Sequence, residues 1–306
     1  MFTFDEIEDF LGAEARTYAE NKRRGGDNNE GGHEFERLHV VSEIARLAAE
    51  HLDRIENQAN TLLHTQVHGF VDDFAIETDG LHVLAQIKDV TELSWTSGRR
   101  PIAEDFRLAQ KLADRKGVDV ELRLVVSRPG VLAALQRTRP DDLGRVVLTQ
   151  HPSGTIPSDI ESVPRFVDNL KVICWPFADR SSVRNTSEFI LSAWLQHGGS
   201  APLAAVLAIA SERSEFVVRT LEEDFALDPD VSNILGAVED FSFAIRGTTF
   251  AYRCFGGLLK GTAPFGCGSP GWTRFEDGLR SLSEAAENGP PLSFRDLLPL
   301  LTERQG

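Results

Sequence analysis

Residues 70–88 of this 306-residue chain read FVDDFAIETDGLHVLAQIK. Apolar and polar residues alternate on both sides of Thr78-Asp79-Gly80, which is typical of two β-strands joined by a tight turn, because glycine tolerates a positive φ there. Successive side chains of a strand point to opposite faces. Phe74 and Ile76 therefore share the apolar face of the first strand, and Asp73 takes the opposite face.

On the second strand Gln86 and Lys88 project together, while Ile87 points the other way. Pairing the strands through the turn gathers Asp73, Gln86 and Lys88 on one polar surface. A carboxylate, an amide oxygen and an ammonium group on one surface suit a divalent cation and a water molecule, because Mg²⁺ prefers oxygen ligands and usually keeps several waters. Asp72 is the rival acid, since a β-bulge would exchange it with Asp73.

Helices and strands are expected on both sides of this hairpin. The periodicity predicts helices at 4–24, 33–55, 101–116 and 130–137, and strands at 61–68, 70–77, 81–90, 118–127, 145–149 and 170–175. A polar, glycine-rich linker is expected at 25–32. This order predicts an α/β fold with a mixed sheet flanked by helices over residues 1–178.

The pattern changes after residue 178, where helical spacing dominates. Helices are predicted at 186–197, 202–215, 216–225, 231–245 and 292–301, with a glycine-rich loop at 256–271. Residues 179–306 are therefore expected to form a mainly helical region that regulates the first domain or binds a partner.

The overall charge limits which partners are possible. Thirty-two Lys and Arg residues against 47 Asp and Glu residues give a net charge of −15. A surface this acidic excludes a generic polycationic binder, so any nucleic-acid site must be local. Residues 95–145 hold eleven basic and seven acidic residues, a net of +4. Arg99 and Arg100 are the best candidates for contacts to DNA phosphates, which require Lys or Arg.

The remaining composition indicates a cytoplasmic protein without a membrane partner. The three cysteines form no CxxC pair, so neither a disulfide framework nor a thiolate zinc site is expected. The first residues are acidic, unlike those of a signal peptide. No apolar run approaches the ~20 residues that a membrane span needs.

Four short motifs in a fixed order carry a resemblance to a known family. They are Gly32-His33-Glu34-Phe35-Glu36, Asp72-Asp73-Phe74, Ala85-Gln86-Ile87-Lys88 and Trp95-Thr96. Residues ~30–178 resemble the PD-(D/E)XK nuclease superfamily, whose sites carry an Asp on one strand and Glu or Gln, any residue, then Lys on the next. The closer resemblance is to the double-stranded DNA endonuclease domain of bacterial antiphage effectors of the CD-NTase-associated type, which are fused to cyclic-nucleotide sensors or paired with ATPases.

The resemblance implies a restriction-endonuclease-like sheet with a Mg²⁺ or Mn²⁺ site. Asp73 would be the main metal carboxylate, and Gln86 would supply a second oxygen together with the main-chain carbonyl of Ile87. Lys88 would orient or help to deprotonate the attacking water and offset the charge on the phosphate.

The resemblance also implies a role for a carboxylate on the preceding helix. Glu36 would bind the metal or a metal-bound water, with Glu34 as its rival because the helix entry decides which one faces the sheet. Gln86 stands where many relatives carry Glu, and a neutral ligand leaves one negative charge fewer on the cation.

The leading hypothesis is a metal-dependent endonuclease that cuts double-stranded DNA in antiphage defence. Control by a sensor protein, an ATPase or formation of a homo-oligomer is expected. The alternative is a catalytically inactive scaffold of the same fold, which Gln86 favours. A third hypothesis is a small-molecule or cyclic-nucleotide receptor in the C-terminal helices.

Overall fold

The computed structural model describes residues 1–26, 30–52, 60–98, 100–175, 177–214, 217–220, 222–286 and 290–302. The N-terminal part of the chain is helical: α1 (Phe4–Leu11), α2 (Ala13–Gly26) and α3 (Glu30–Leu52). The predicted single helix over 4–24 is wrong, because Gly12 adopts φ +92° and breaks it into α1 and α2.

The predicted linker and second helix are partly different from the structure. Helix α2 continues through residue 26 and α3 already begins at residue 30, so most of the predicted linker is helical. Residues 27–29 and 53–55, which belong to these two predictions, lie outside the described residues.

A mixed sheet forms the centre of the first part of the chain. Its strands are β1 (Leu62–Thr65), β2 (Phe74–Thr78), β3 (Leu81–Lys88), β4 (Val120–Val126), β5 (Val147–Gln150) and β6 (Ser200–Pro202). In the described residues it has six strands in the order β5-β4-β3-β2-β1-β6. β4 pairs in parallel with β3 and β5, and the other pairs are antiparallel. The predicted mixed sheet is confirmed.

Helices cover both faces of this sheet. The elements that follow in the chain are α4 (Ile102–Lys116), α5 (Pro129–Arg137), α6 (Phe166–Ile173), α7 (Arg180–Gln196) and α8 (Leu203–Arg213). Residues of α1, α2, α4 and α5 pack with Leu84 and Leu124 on one face. Residues of α3, α6, α7 and α8 pack with Phe74 and Ile76 on the other. The helices flanking the sheet are therefore confirmed as well.

The strand predicted at 170–175 is wrong. Residues 166–173 form helix α6, whose Phe166, Leu170 and Ile173 are buried in the core. Their spacing of three and four residues brings them onto one helical face. The short apolar run around residue 172 conceals this period, because a buried strand and a buried helix segment look alike over so few residues.

The C-terminal part holds helices and a second sheet. Its elements are α9 (Pro229–Gly236), β7 (Phe241–Arg246), β8 (Thr249–Cys254), β9 (Leu259–Gly266), α10 (Pro270–Ala286) and α11 (Phe294–Thr302). β7, β8 and β9 form an antiparallel sheet that the sequence analysis missed. The helix predicted at 231–245 ends at Gly236, and the loop predicted at 256–271 contains β9.

The helix predicted at 216–225 is also wrong where it can be checked. Residues 217–220 and 222–225 are not helical, and Val218 forms an isolated antiparallel bridge with Cys174. This bridge ties the segment to the end of α6 in the extended form. Residues 216 and 221 lie outside the described part of the chain.

The buried cores divide later in the chain than the predicted boundary at residue 178. Helices α7 and α8 pack in the same core as the sheet, and that core extends to Val218. A separate core begins at Val231 and contains residues of β7, β8, α10 and α11. Among the described helices, none combines the length and the apolar character that crossing a membrane requires.

Two buried histidines lie side by side against the sheet. The rings of His39, on α3, and His151, after β5, are 5.0 Å apart between centroids. His151 Nε2 is 3.0 Å from the Ser42 hydroxyl oxygen. Burial lowers the pKa of His39 to about 3 and that of His151 to about 4. Both rings are therefore neutral in the folded protein at neutral pH.

These pKa values predict a loss of stability in mild acid. The unfolded chain takes up a proton on each imidazole near pH ~6.5, whereas the folded chain does so only near pH 4 or below. Each histidine should therefore lower the free energy of unfolding by about 1.4 kcal/mol per pH unit between these values. The free energy of unfolding, measured with urea across this pH range, should depend less steeply on pH in His151→Gln than in the wild type, by the equivalent of about one proton. Equal slopes for the variant and the wild type would contradict the assignment.

Candidate functional site

The structure brings Asp73, Gln86 and Lys88 together where β2 begins and β3 ends. Phe74 lies opposite Ala85 in the antiparallel pair, so Asp73 comes next to Gln86. Asp73 Oδ2 accepts a hydrogen bond from the main-chain N–H of Ile87 at 2.7 Å and another from the Gln86 amide. The Lys88 ammonium lies 3.3 Å from the same oxygen. The juxtaposition expected from the hairpin pattern is present.

This cluster lies at the boundary between the interior and solvent. Gln86 is fully buried and Asp73 is 8% exposed, whereas the Lys88 side chain is 35% exposed. A carboxylate this deep needs charged or hydrogen-bonding partners to compensate for lost hydration. The three donors on Oδ2 provide that compensation.

Glu36 on α3 belongs to the same electrostatic environment. It is half-buried, and Glu34 is exposed. Burial and the negative charge of Asp73 raise the pKa of Glu36 to about 7, with Lys88 opposing them. Of the two glutamates weighed from the sequence, Glu36 is therefore the one that interacts with the cluster.

Asp72 is buried beside the cluster without a full set of partners. It is 3% exposed, and its Oδ1 accepts no hydrogen bond, although the Lys22 ammonium is 3.2 Å away. Burial raises the pKa of Asp72 to about 6; Lys22 opposes this shift and Asp73 adds to it. The Lys22 ammonium is therefore the positive charge that partly compensates for the burial of this carboxylate.

Lys22 and Asp105 are site residues that sequence reasoning missed. The Lys22 Nζ atom, near the end of α2, donates to Gln86 Oε1 at 2.8 Å, to Asp105 Oδ2 at 2.9 Å and to the main-chain carbonyl of Phe70. Tyr18 donates its hydroxyl to Asp105 Oδ1 at 2.6 Å. Burial alone would lower the pKa of Lys22, but Asp72 and Asp105 outweigh it and the net shift is upward.

A signal for Asp105 was present in the sequence. Ile102, Asp105, Phe106 and Ala109 are all buried on α4, so the acid stands among the positions that form the apolar stripe of an amphipathic helix. A charged residue at such a position requires a buried partner. The sequence around Asp105 does not indicate that this partner is Lys22, which lies on a different helix.

Of the two arginines predicted to contact DNA, the structure describes Arg100. Arg99 lies outside the described residues. Arg100 is exposed, and its guanidinium lies 3.7 Å above the centre of the Tyr18 ring. Because Tyr18 in turn bonds Asp105, Arg100 sits on the solvent side of the same network.

The charges of the cluster do not balance. Four carboxylates, Glu36, Asp72, Asp73 and Asp105, face the ammonium groups of Lys22 and Lys88. Among the described residues no group of three His, Cys, Asp or Glu side chains is arranged to hold a metal ion. Mg²⁺ commonly uses only one or two carboxylates and keeps several waters. The oxygens that the sequence resemblance assigns to a cation here are those of Asp73, Gln86 and Glu36 and the Ile87 carbonyl.

The three cysteines take no part in the site. Cys174, Cys254 and Cys267 are free and buried. Burial raises the pKa of the Cys267 thiol to about 12, so it is protonated at neutral pH.

Comparison with known proteins gives distant structural neighbours. No protein-family model matches the chain, and no curated protein matches it. The neighbours include the Cap4 SAVED/CARF-domain containing receptor of Acinetobacter baumannii. One structure of it is 12% identical with a TM-score of 0.39 and covers 67% of this chain and 55% of that one. The complex with the cyclic trinucleotide 3'3'3'-cAAA is 12% identical with a TM-score of 0.40, covering 65% and 49%. The chain thus spans about half of that receptor, and similarity at this level does not transfer a function.

Proposed function

We propose that this chain is a metal-dependent endonuclease that hydrolyses phosphodiester bonds in double-stranded DNA. The observation that supports it best is the contact of Asp73 with Gln86, Ile87 and Lys88 at the ends of two neighbouring strands. Two of the four motifs contribute these residues, and all four occur in the order seen in PD-(D/E)XK nucleases. Asp73 and Lys88 lie close enough to act on the same substrate phosphate.

The excess of negative charge favours a divalent cation as cofactor. Glu36 and Asp72 have raised pKa values because burial and Asp73 disfavour their ionised forms, and a cation nearby would reverse that effect. Asp73, Glu36 and the Ile87 carbonyl would hold Mg²⁺ or Mn²⁺. When bound, such an ion lowers the pKa of a coordinated water and stabilises the charge that develops on the phosphate.

Lys88 carries the remaining part of the mechanism. Its ammonium is partly exposed and is fixed by Asp73 at 3.3 Å, so it can also contact a bound phosphate. There it would orient the attacking water and offset the negative charge of the transition state. Arg100, on the solvent side of the same network, would bind the phosphate backbone of DNA.

The proposed setting is a bacterial antiphage defence system, because the motif order resembles the endonuclease domain of such effectors. An uncontrolled nuclease endangers its own cell, so the proposal includes a sensor protein, an ATPase or a second copy of this chain as the controlling partner. We assign that contact to the region after residue 218, which has a core of its own.

A catalytically inactive scaffold is the second candidate function. The observation that favours it is the orientation of Gln86, whose Oε1 accepts from Lys22 while its amide nitrogen faces Asp73. In this arrangement the amide oxygen is turned away from the carboxylate with which it would share a metal ion.

Plasmid nicking separates these two candidates. The wild type should convert supercoiled plasmid to open-circular DNA with Mg²⁺ or Mn²⁺ and not with EDTA. Lys88→Ala should lower the rate by about 100-fold or more, as expected when a group that assists proton transfer is lost. Lys171→Ala is the matched control, because Lys171 is 60% exposed on α6 and pairs with Asp168. Cleavage that survives Lys88→Ala, or the absence of metal-dependent cleavage, would favour the scaffold.

The role of Arg100 can be tested by measuring DNA binding in the Lys88→Ala variant, so that cleavage does not interfere. Adding Arg100→Ala should weaken binding to a short fluorescent duplex and reduce the slope of log K against log salt by about 0.9, the value for one lost phosphate contact. Arg280→Ala serves as the control, because Arg280 lies on α10 and pairs with Asp228. An unchanged affinity and salt slope for Arg100→Ala would remove this residue from the DNA-binding surface.

A further inference from the structure

The Lys22 ammonium uses all of its hydrogen-bonding capacity inside the site. An ammonium group has three N–H donors, and Lys22 directs them to Gln86 Oε1, Asp105 Oδ2 and the Phe70 carbonyl. The side chain is 18% exposed. Asp105 is itself held by the Tyr18 hydroxyl at 2.6 Å. The position of the ammonium is therefore fixed from several directions.

This fixed ammonium determines the orientation of the Gln86 amide. The amide oxygen accepts from Lys22, and the amide nitrogen donates to Asp73 Oδ2. Turning the amide over would place its N–H groups against the ammonium and its oxygen against the carboxylate. Both contacts would be repulsive, because an ammonium cannot accept and an ionised carboxylate cannot donate.

The orientation of Gln86 in turn fixes Asp73. Oδ2 receives the Gln86 amide, the Ile87 N–H and the Lys88 ammonium. None of these three interactions uses Oδ1. A cation held by Asp73 can therefore bind Oδ1 without breaking any of the three, whereas a cation bound to Gln86 Oε1 would have to displace Lys22.

We propose that Gln86 and Lys22 are positioning residues, so that Lys22 fixes the Gln86 amide and Gln86 orients Asp73 without itself binding the metal ion. The inference rests on the proposed function, since it concerns the same metal site. It differs from the role that the sequence resemblance implies for Gln86, which is that of a second metal ligand. Groups that orient a ligand typically change metal affinity by about 10–100-fold when they are replaced.

These roles can be tested by measuring the Kd of the full chain for Mn²⁺, by calorimetry and by the electron paramagnetic resonance signal of free Mn²⁺. Gln86→Glu retains an oxygen for Lys22 but replaces the donor to Asp73 with a like charge, so the Kd for Mn²⁺ should rise at least about tenfold. Lys22→Met should raise it as well, because the amide is released. If Gln86 were a ligand, both variants would bind Mn²⁺ more tightly, since one adds negative charge to the ligand set and the other frees the amide oxygen.

Lys116→Met is the matched control. Lys116 is also a half-buried lysine that links an N-terminal helix to α4, through Glu6 at 2.8 Å, but it contacts no residue of the metal site. The Kd of the Lys116→Met variant for Mn²⁺ should equal that of the wild type. If Lys22→Met does not fold, Gln86→Glu decides alone.

The proposed function and the roles given to Gln86 and Lys22 are contradicted by different results. An unchanged or lower Kd for Gln86→Glu would overturn the roles given to Gln86 and Lys22 and leave the proposed nuclease intact. If the wild type shows no Mn²⁺ binding that is lost in Asp73→Asn, the proposed function is overturned, and this inference with it.

Discussion

The pairing of buried carboxylates with two lysines is the interaction on which the arrangement of this molecule depends. Breaking a buried ion pair by removing one partner typically costs about 3–5 kcal/mol, because an uncompensated charge is left behind. Lys22 joins α2, β3 and α4 through Gln86 and Asp105. The N-terminal helices are therefore part of the candidate site as well as a cover for the sheet.

The hairpin of β2 and β3 places the candidate catalytic side chains beside these buried ion pairs. Its antiparallel register sets Asp73 beside Gln86, and the alternation of side chains turns Lys88 toward the same face. Helix α3 crosses the other face and brings Glu36 within electrostatic range. The result is a partly buried site with more negative than positive groups, which is the condition that favours a hard divalent cation.

Local patterns revealed the hairpin and could not reveal the network around it. The alternation over residues 70–88 identified the turn, the second strand and the face shared by Asp73, Gln86 and Lys88, but it began the first strand at residue 70, whereas β2 begins at Phe74. Lys22 and Asp105 are 83 positions apart in the chain, and no periodicity encodes such a contact. The sheet of β7–β9 was missed for a related reason: Phe241, Phe243 and Ile245 alternate as in a strand, but they follow a helical pattern that was extended too far.

Under the proposed function, the oxygens around Asp73 hold a divalent metal ion. Anomalous diffraction from crystals soaked in Mn²⁺ tests it most directly, because the ion can be located without reference to activity. A peak is expected within bonding distance of Asp73 Oδ1 and the Ile87 carbonyl, at about 2.1 Å for a small divalent ion with oxygen ligands. No peak beside Asp73, or one only at another surface of the protein, would contradict it.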